Sequence, residues 1–142
     1  MNMTWNRALL VVLCVLLGGG GYIGYRVSVS WRLFSAEDRI AHTFHPVVEA
    51  LYQSTKVHGH PPEKLSDLVP TNLDAIPTCP VVDSVSYRAS PDGARWRLEL
   101  RSSVCGYRRV YCWQSDHQYT QQEESRVLGR YHEGWTVLED TD

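Results

Sequence analysis

The side chains that usually carry out chemistry are thinly spread along this chain, which has six histidines and four cysteines among 142 residues. No serine stands in a Gly-x-Ser-x-Gly setting. The only glycine run, residues 18–21, lies inside an apolar stretch rather than in a phosphate-binding loop. No histidine has a nucleophile at a spacing that would define a catalytic pair. We therefore expect that the protein is not an enzyme and has no catalytic residues.

Four of the histidines fall close together in the sequence, and a metal site is one interpretation of them. His42 and His45 are three residues apart and would share a helix face, whereas His58 and His60 form a His-x-His pair. No cysteine or carboxylate stands at a recognised ligand spacing from them, and the helix must end between the two pairs. We favour two solvated helix residues and two loop residues, and we predict no metal there.

Composition excludes one class of partner and indicates the size of the fold. The net charge is −2, so no basic patch points to nucleic acid. Five Trp and eight Tyr against two Phe suit a small sheet with one wet face, because both ring types keep a polar atom to satisfy. The length allows one domain and an anchor.

The anchor is an uncharged run from Ala8 to Tyr25. A helix needs about 20 apolar residues to cross a bilayer. Glycines 18–21 would each cost up to ~1 kcal/mol in a core helix, whereas they are better tolerated in a membrane. A cleaved signal peptide is the alternative, but no Ala-x-Ala site follows. We predict a short flank (1–7) and an uncleaved transmembrane signal-anchor (8–25).

The orientation of the anchor follows from cysteine usage rather than from charge. Arg7 lies on one side of the run, and Arg26, Arg32 and Arg39 lie close to its other side, so the positive-inside rule does not decide. Three cysteines lie in the polar part of the chain, which favours an oxidising space outside the cytoplasm. We predict a single-pass protein with an extracytoplasmic C-terminal domain.

An amphipathic helix is predicted over residues 26–58, continuing from the anchor. Its apolar stripe recurs at helical spacing and consists of Leu33, Ile40, Phe44, Val47, Val48 and Leu51. The charged positions between them, Glu37, Asp38, Arg39 and Glu49, should face water. Pro46 predicts a kink or a break, because proline removes one helical hydrogen bond.

A proline-rich loop (59–84), an antiparallel sheet (85–138) and an acidic tail (139–142) complete the chain. Trp96, Leu98 and Leu100 alternate with charged residues, so their face should pack on the helix stripe. A later strand, Tyr107–Trp113, should place Val110 and Cys112 on one face and Tyr111 and Trp113 on the other. Residues 114–125 should be an exposed excursion, and residues 126–131 and 134–138 should form a closing hairpin. Trp135, Val137 and the Leu128 side should complete the core. The fold class is α+β, with a sheet of about four strands tethered by the loop.

The order of these motifs resembles type IV pilin-like proteins, in particular the major pseudopilins of type II secretion. The resemblance rests on the order of an apolar helix, the pair Leu51-Tyr52, a Gly-x-Pro-Pro turn at residues 59–62, and apolar and proline positions from 65 to 77. It covers roughly residues 8–106. It implies a long N-terminal helix, half in a bacterial inner membrane, followed by an αβ-loop and an antiparallel sheet with a periplasmic or otherwise extracytoplasmic location.

The resemblance also implies two sets of site residues. Cys79 and Cys105 match a pattern in which the two cysteines are paired as a disulfide, and Cys105 with Cys112 is the alternative pairing. A disulfide between Cys79 and Cys105 would close a loop of about 25 residues and would stabilise the fold by roughly 3 kcal/mol on the chain-entropy model. Major pseudopilins bind calcium through acidic residues of the C-terminal region, which here suggests Asp116, Glu139, Asp140 and Asp142. We favour an acidic end that frays, and we predict no metal and no cofactor.

One family motif is missing. Prepilins carry a Gly-Phe-Thr-Leu-x-Glu type of processing motif, whereas this chain reads Met3-Thr-Trp-Asn-Arg-Ala-Leu9 before the apolar run. Two functions remain open. The first is a non-enzymatic structural or accessory protein of a secretion or pilus-type system, with the membrane and other membrane or secretion-machinery proteins as partners. The second is a membrane-tethered binding module that presents Tyr111 and Trp113 to a protein or glycan.

Overall fold

The computed structural model describes residues 3–130 and 134–141, with side chains from residue 18 onward. The fold is α+β, with one long helix and a five-stranded antiparallel sheet. The elements are α1 (Met3–His58), a short 3-10 helix (Leu65–Leu68), β1 (Ser84–Ala89), β2 (Trp96–Val104), β3 (Tyr107–Gln114), α2 (Gln121–Glu124), β4 (Val127–Arg130) and β5 (Thr136–Glu139).

The chain divides into two compact units, one ending at Ser35 and the other starting at Ala36. The first unit contains the N-terminal part of α1. The second contains the rest of α1 and the whole sheet. Within residues 18–130 and 134–141, no helix is long and apolar enough to cross a membrane. Residues 8–17 of the predicted span lie outside the side chains that the structure describes.

Helix α1 has no break at Pro46, where we expected a kink or a break. Pro46 lies inside it, and the helix runs on to His58. Apolar residues on both sides of Pro46 are buried against the sheet, so packing holds the helix together across the missing hydrogen bond. The helix ends as predicted at Gly59, whose φ of +77° is left-handed and whose N–H donates to the Thr55 carbonyl at 2.9 Å.

The sheet has the strand order β1-β2-β3-β5-β4, and every neighbouring pair is antiparallel. Tyr87 pairs with Leu98, Leu98 with Trp113, and Tyr111 with Val137. Five strands are present rather than about four, because β4 adds to β5 as a short edge strand. Leu128 on β4 is half exposed, so it does not contribute to the core as predicted.

The main core lies between the second part of α1 and one face of the sheet. The helix stripe from Ile40 to Leu51 and the Trp96, Leu98 and Leu100 face belong to one buried cluster, as the sequence predicted. Each fully buried large side chain contributes about 1.5–3 kcal/mol. Leu33, the first member of the predicted stripe, is only half-buried.

A second, smaller cluster occupies the opposite face of the sheet. Val110, Cys112 and Leu138 are buried there, with Tyr119 and Val127 packed against them. Tyr119 belongs to residues 115–126, which we call the covering segment. We expected an exposed excursion over 114–125. Most of these residues are exposed as predicted, but Tyr119 packs against the smaller cluster and Glu123 pairs with Arg97 of β2, so the segment lies over this face of the sheet.

Candidate functional site

The predicted partner face is not on the surface. Tyr111 and Trp113 are 3% and 6% exposed, and both belong to the main core. Their face of β3 is the one that packs on α1, because the register sets Tyr111 beside Leu100 and Trp113 beside Leu98. The binding-module hypothesis therefore loses the residues on which it rested.

The indole N–H of Trp113 is satisfied inside the fold, whereas the buried Trp135 Nε1 has no hydrogen-bond partner among the described residues. The Trp113 indole N–H donates to the Tyr52 hydroxyl at 3.2 Å, and that hydroxyl donates to the Ser115 carbonyl at 3.4 Å. The Trp135 ring meets Trp113 edge-to-face at 5.4 Å, a geometry typical of core aromatic pairs. These rings hold α1, β3 and β5 together.

Of the calcium candidates, Asp116, Glu139 and Asp140 lie within the described residues, and Asp116 is not placed with the other two. Asp116 follows β3 and pairs with Arg95 at 3.5 Å. Asp140 lies beside the other end of β3 and pairs with Arg101 and Arg108, each at 3.3 Å. Strand β3 lies between the two carboxylates. Its length is roughly 20 Å, at about 3.3 Å per residue. Glu139 lies on β5, and Asp142 falls outside the described residues.

The three cysteines of the second unit are free thiols in the structure, Cys79 and Cys112 buried and Cys105 exposed. Cys105 lies in the β2–β3 turn. The segment after Cys79 runs beside the end of β2, because the Asp83 N–H donates to the Arg101 carbonyl and the Ser102 hydroxyl to the Val81 carbonyl. Burial raises the pKa of the Cys112 thiol to about 12, against the opposing influence of Arg97.

The histidines remain separate groups. His45 approaches Glu49 at 3.4 Å on α1, and the Nδ1 atoms of His58 and His60 hydrogen-bond to backbone carbonyls at 2.9 and 3.1 Å. Among the residues that the structure describes, no group of three or more His, Cys, Asp or Glu side chains is placed to hold a metal ion.

An apolar surface lies on α1 before Ser35 and includes the end of the predicted span. It is an exposed, strongly apolar stretch, which we call the α1 apolar surface. Its large side chains are Tyr22, Ile23, Tyr25, Val27, Trp31 and Phe34. A hollow of about 510 Å³ lies on this surface and is lined by Arg26, Val27, Ser30, Trp31 and Phe34.

The serines of this surface do not make it polar. The hydroxyls of Ser28, Ser30 and Ser35 donate to carbonyls three or four residues earlier, at 2.9, 2.9 and 2.6 Å. Their oxygens are thus turned toward the helix backbone. Contiguous exposed apolar surface of this kind usually marks an interaction site, so the α1 apolar surface is the candidate functional site.

A buried ion pair was not predicted from the sequence. Glu37, which we expected to face water, is buried and pairs with Arg109 of β3. The helical spacing placed Glu37 between apolar positions. Only the pairing of β3 with its neighbours brings an arginine within reach, so no local signal predicts this contact.

Comparison of the chain with models of protein families, with curated proteins and with solved structures returned no match.

Proposed function

We propose that this protein is a membrane-anchored, pilin-like structural or accessory component of a secretion or pilus-type system, and that it acts by helix packing rather than by catalysis. The α1 apolar surface is the observation that carries the proposal. It leaves several large apolar side chains exposed at residues 22–34, which overlap the end of the uncharged run and extend beyond it. Surface of this kind is stabilised by contact with other helices or with a membrane.

The anchor is the second part of the proposal. Residues 8–25 would cross the inner membrane once, and the sheet domain would lie in the periplasm or another extracytoplasmic space. The uncharged sequence of this run supports a span. The partners proposed are the membrane itself and other membrane or secretion-machinery proteins.

A charge substitution tests the anchor. Leu13→Arg places a charge within the proposed span, where it should oppose insertion by about 2.5–3.5 kcal/mol. Val57→Arg is the matched control, because Val57 is an exposed residue near the end of α1. We expect alkaline carbonate to release the Leu13→Arg chain from bacterial membranes and to leave the unsubstituted and Val57→Arg chains bound. Release of the unsubstituted chain contradicts the anchor.

Co-purification tests the role in a machine. The full chain, extracted from membranes of its host, should carry identifiable secretion or pilus components with it, and N-terminal sequencing should establish whether residues before the span are removed. A monomeric protein with an intact Met1 and no machinery component would refute the structural role.

A disulfide between Cys79 and Cys105 remains part of the proposal. It is supported by the course of the Cys79 segment beside the end of β2. Thiol alkylation of protein purified without reductant provides the test. We expect Cys105 to react only after reduction, and Cys112 to stay slow in both states because its thiol is buried and its pKa is raised. Rapid labelling of Cys105 before reduction would contradict the pairing.

A further inference from the structure

Strand β1 forms one edge of the sheet and leaves a row of backbone groups without partners. The Ser90 N–H donates to the Arg95 carbonyl at 2.8 Å, and this pair continues the β1–β2 register. Because hydrogen-bonded pairs alternate along an antiparallel ladder, the backbone groups of Val85, Tyr87 and Ala89 point away from β2. Within the described part of the chain, no hydrogen bond reaches these outward groups. They form a template for one further strand.

The other edge of the sheet is protected, which sets β1 apart. Strand β4 has only four residues, and a register shift between Val127 and Gly129 interrupts its pairing. Short edge strands and bulges are two ways in which proteins prevent a further strand from pairing. By contrast, the register of β1 is continuous over six residues, and the strand contains no proline and no lysine. Of the two edges, β1 is therefore the one that can accept a strand.

The only charged side chain of β1 indicates the charge of what binds there. Arg88 is exposed and has no ion-pair partner among the described residues. It lies directly opposite Arg97 of β2, and like charges in this position are destabilising. Arg97 pairs with Glu99 and Glu123, whereas Arg88 has no carboxylate of its own. A carboxylate from outside the chain would satisfy it.

A hollow beside Arg88 has room for an acidic side chain. It measures about 210 Å³, and its lining includes Arg88, Arg95, Arg97 and Gln114. The Arg95 side chain is 59% exposed and approaches Asp116 only to 3.5 Å. A carboxylate carried by an added strand would therefore meet two guanidinium groups that are incompletely neutralised, and it would offset the repulsion between Arg88 and Arg97.

The other face of β1 offers an apolar contact. Val85 is 39% exposed, although it lies on the same face of the strand as Tyr87, whose ring packs against the main core. Alternate residues of an added strand would lie on this face beside Val85 and would cover it. The two faces together indicate a strand in which apolar and polar residues alternate.

We propose that β1 binds an extended segment of a partner protein, in which apolar residues alternate with polar ones and one polar residue is Asp or Glu. Backbone hydrogen bonds to β1 supply affinity, and the carboxylate at Arg88 supplies specificity. A second copy paired along this edge fits less well, because the six residues of β1 include no acidic side chain. The site lies wholly within the second unit and does not depend on the anchor, so it goes beyond the proposed function.

Peptide binding to charge variants tests the chemistry of the partner. The probe is a fluorescent peptide of about eight residues, long enough to span β1, with alternating valine and threonine and one central glutamate. A second probe carries lysine in place of the glutamate. Both are titrated against the full chain in detergent micelles, and fluorescence anisotropy reports binding.

We expect the unsubstituted chain to prefer the glutamate probe. Arg88→Glu should raise the Kd of that probe at least about tenfold and lower the Kd of the lysine probe. Lys56→Glu is the matched control, because Lys56 is an exposed basic residue on α1, and it should change neither Kd. No binding of the glutamate probe to the unsubstituted chain, equal binding of the two probes, or equal effects of the two substitutions overturns the proposal.

Hydrogen exchange followed by mass spectrometry tests where the probe lies. With the glutamate probe bound, exchange should slow in β1 and stay unchanged in β4. Val85→Pro removes one outward N–H and keeps the β1–β2 hydrogen bonds, as edge prolines can, so it should weaken binding, whereas Val85→Thr keeps this N–H and should bind nearly as well. Unchanged exchange in β1 overturns the proposal. Protection of β1 that rises with protein concentration in the absence of probe identifies a second copy as the occupant and overturns it too.

Discussion

Glu37 and Arg109 join α1 to β3 through an ion pair that is largely removed from water, with side-chain exposures of 8% and 17%. Two buried charges gain little as a pair, because desolvation offsets most of their attraction. Removing one partner is different, since the other charge stays buried without compensation. The pair therefore makes the α1–β3 contact sensitive to single substitutions.

Glu37→Ala should lower the free energy of unfolding by about 3 kcal/mol, measured by urea denaturation. Glu124→Ala is the control, since Glu124 pairs with Arg130 where both side chains are about half exposed, and it should cost at most ~1 kcal/mol. The double variant Glu37→Met/Arg109→Leu should recover most of the loss. Equal losses for Glu37→Ala and Glu124→Ala would show that burial of the first pair is energetically unimportant.

Position 134 requires glycine for two reasons, which are its left-handed backbone conformation and the lack of space for a side chain. Its φ is +97°, and an added Cβ would lie 2.7 Å from the His117 ring and 3.0 Å from the Trp113 ring. Gly106 has a similar φ of +80° but nothing within 4 Å of an added Cβ. Comparing a substitution at Gly106 with the same substitution at Gly134 therefore separates the cost of backbone strain from the cost of steric overlap.

Gly106→Ala should cost about 1–2 kcal/mol of stability from the left-handed backbone alone. Gly134→Ala should cost a further 1–3 kcal/mol, because the aromatic rings must shift. Thermal unfolding followed by near-ultraviolet circular dichroism measures both variants. A Gly134→Ala variant no less stable than Gly106→Ala would mean that His117 and Trp113 move without cost.

At the scale of elements, the covering segment depends on one carboxylate. Glu123 accepts hydrogen bonds from the Thr120 backbone N–H at 2.8 Å and from Arg97. Burial, the largest influence, acts to raise the pKa of Glu123, but these hydrogen bonds and the charge of Arg97 together hold it below the usual value of 4.5. The ionised form is therefore favoured by folding.

The sign of the pH effect follows from this lowered pKa. The stabilisation by Glu123 is complete above pH 4.5 and is lost as the pH falls through the lower folded-state pKa. Glu123→Gln keeps the capping box, since glutamine also serves at that position. It should cost about 1 kcal/mol at pH 7, the scale of a partly exposed pair, and the difference from the unsubstituted protein should shrink below pH 4.5. Glu124→Gln should show a smaller cost, and a pH-independent difference for Glu123→Gln would contradict the assignment.

The sequence predicted best those elements that have one solvent-exposed face and one buried face. The stripe of α1 and the alternation in β2 each report directly which side packs, because polar residues fill the other side. The α+β fold, the helix end at Gly59 and the packing of the Trp96 face on the helix all follow from such patterns. The closing hairpin was placed correctly along the chain, and only the count of about four strands was one too low.

The predictions that were wrong have two physical causes. Both faces of β3 are covered, one by α1 and the other by the covering segment, so its alternation carries no information about exposure. Tyr111 and Trp113 consequently resembled a binding face when they are core residues. Glu37 was expected to face water, and Asp116 and Asp140 were calcium candidates. Each of these carboxylates instead pairs with an arginine that is distant in the sequence, which local spacing does not reveal.

At the scale of the whole molecule, the second unit should fold without the first. The main core cluster draws only on residues from Ile40 onward, and the helix stripe that it needs starts within the second unit. The fragment 36–142 should unfold cooperatively, with a free energy of about 5–15 kcal/mol expected for a chain of its size. Chemical denaturation followed by far-ultraviolet circular dichroism measures it. A fragment without a cooperative transition would show that residues before Ala36 are needed for folding.

Both faces of β3 are buried, and this limits which substitutions the strand can accept during evolution. On β2 the buried positions alternate with half-buried polar ones, so accepted changes there should recur at every second residue, apart from Arg97, which pairs with Glu123. On β3, the run from Val110 to Trp113 is buried throughout, and a larger or charged residue at any of its positions meets packed neighbours. A saturation library should therefore show a period of two in β2 and a continuous block of intolerance in β3, with the central strand as the slowest-changing part of the domain.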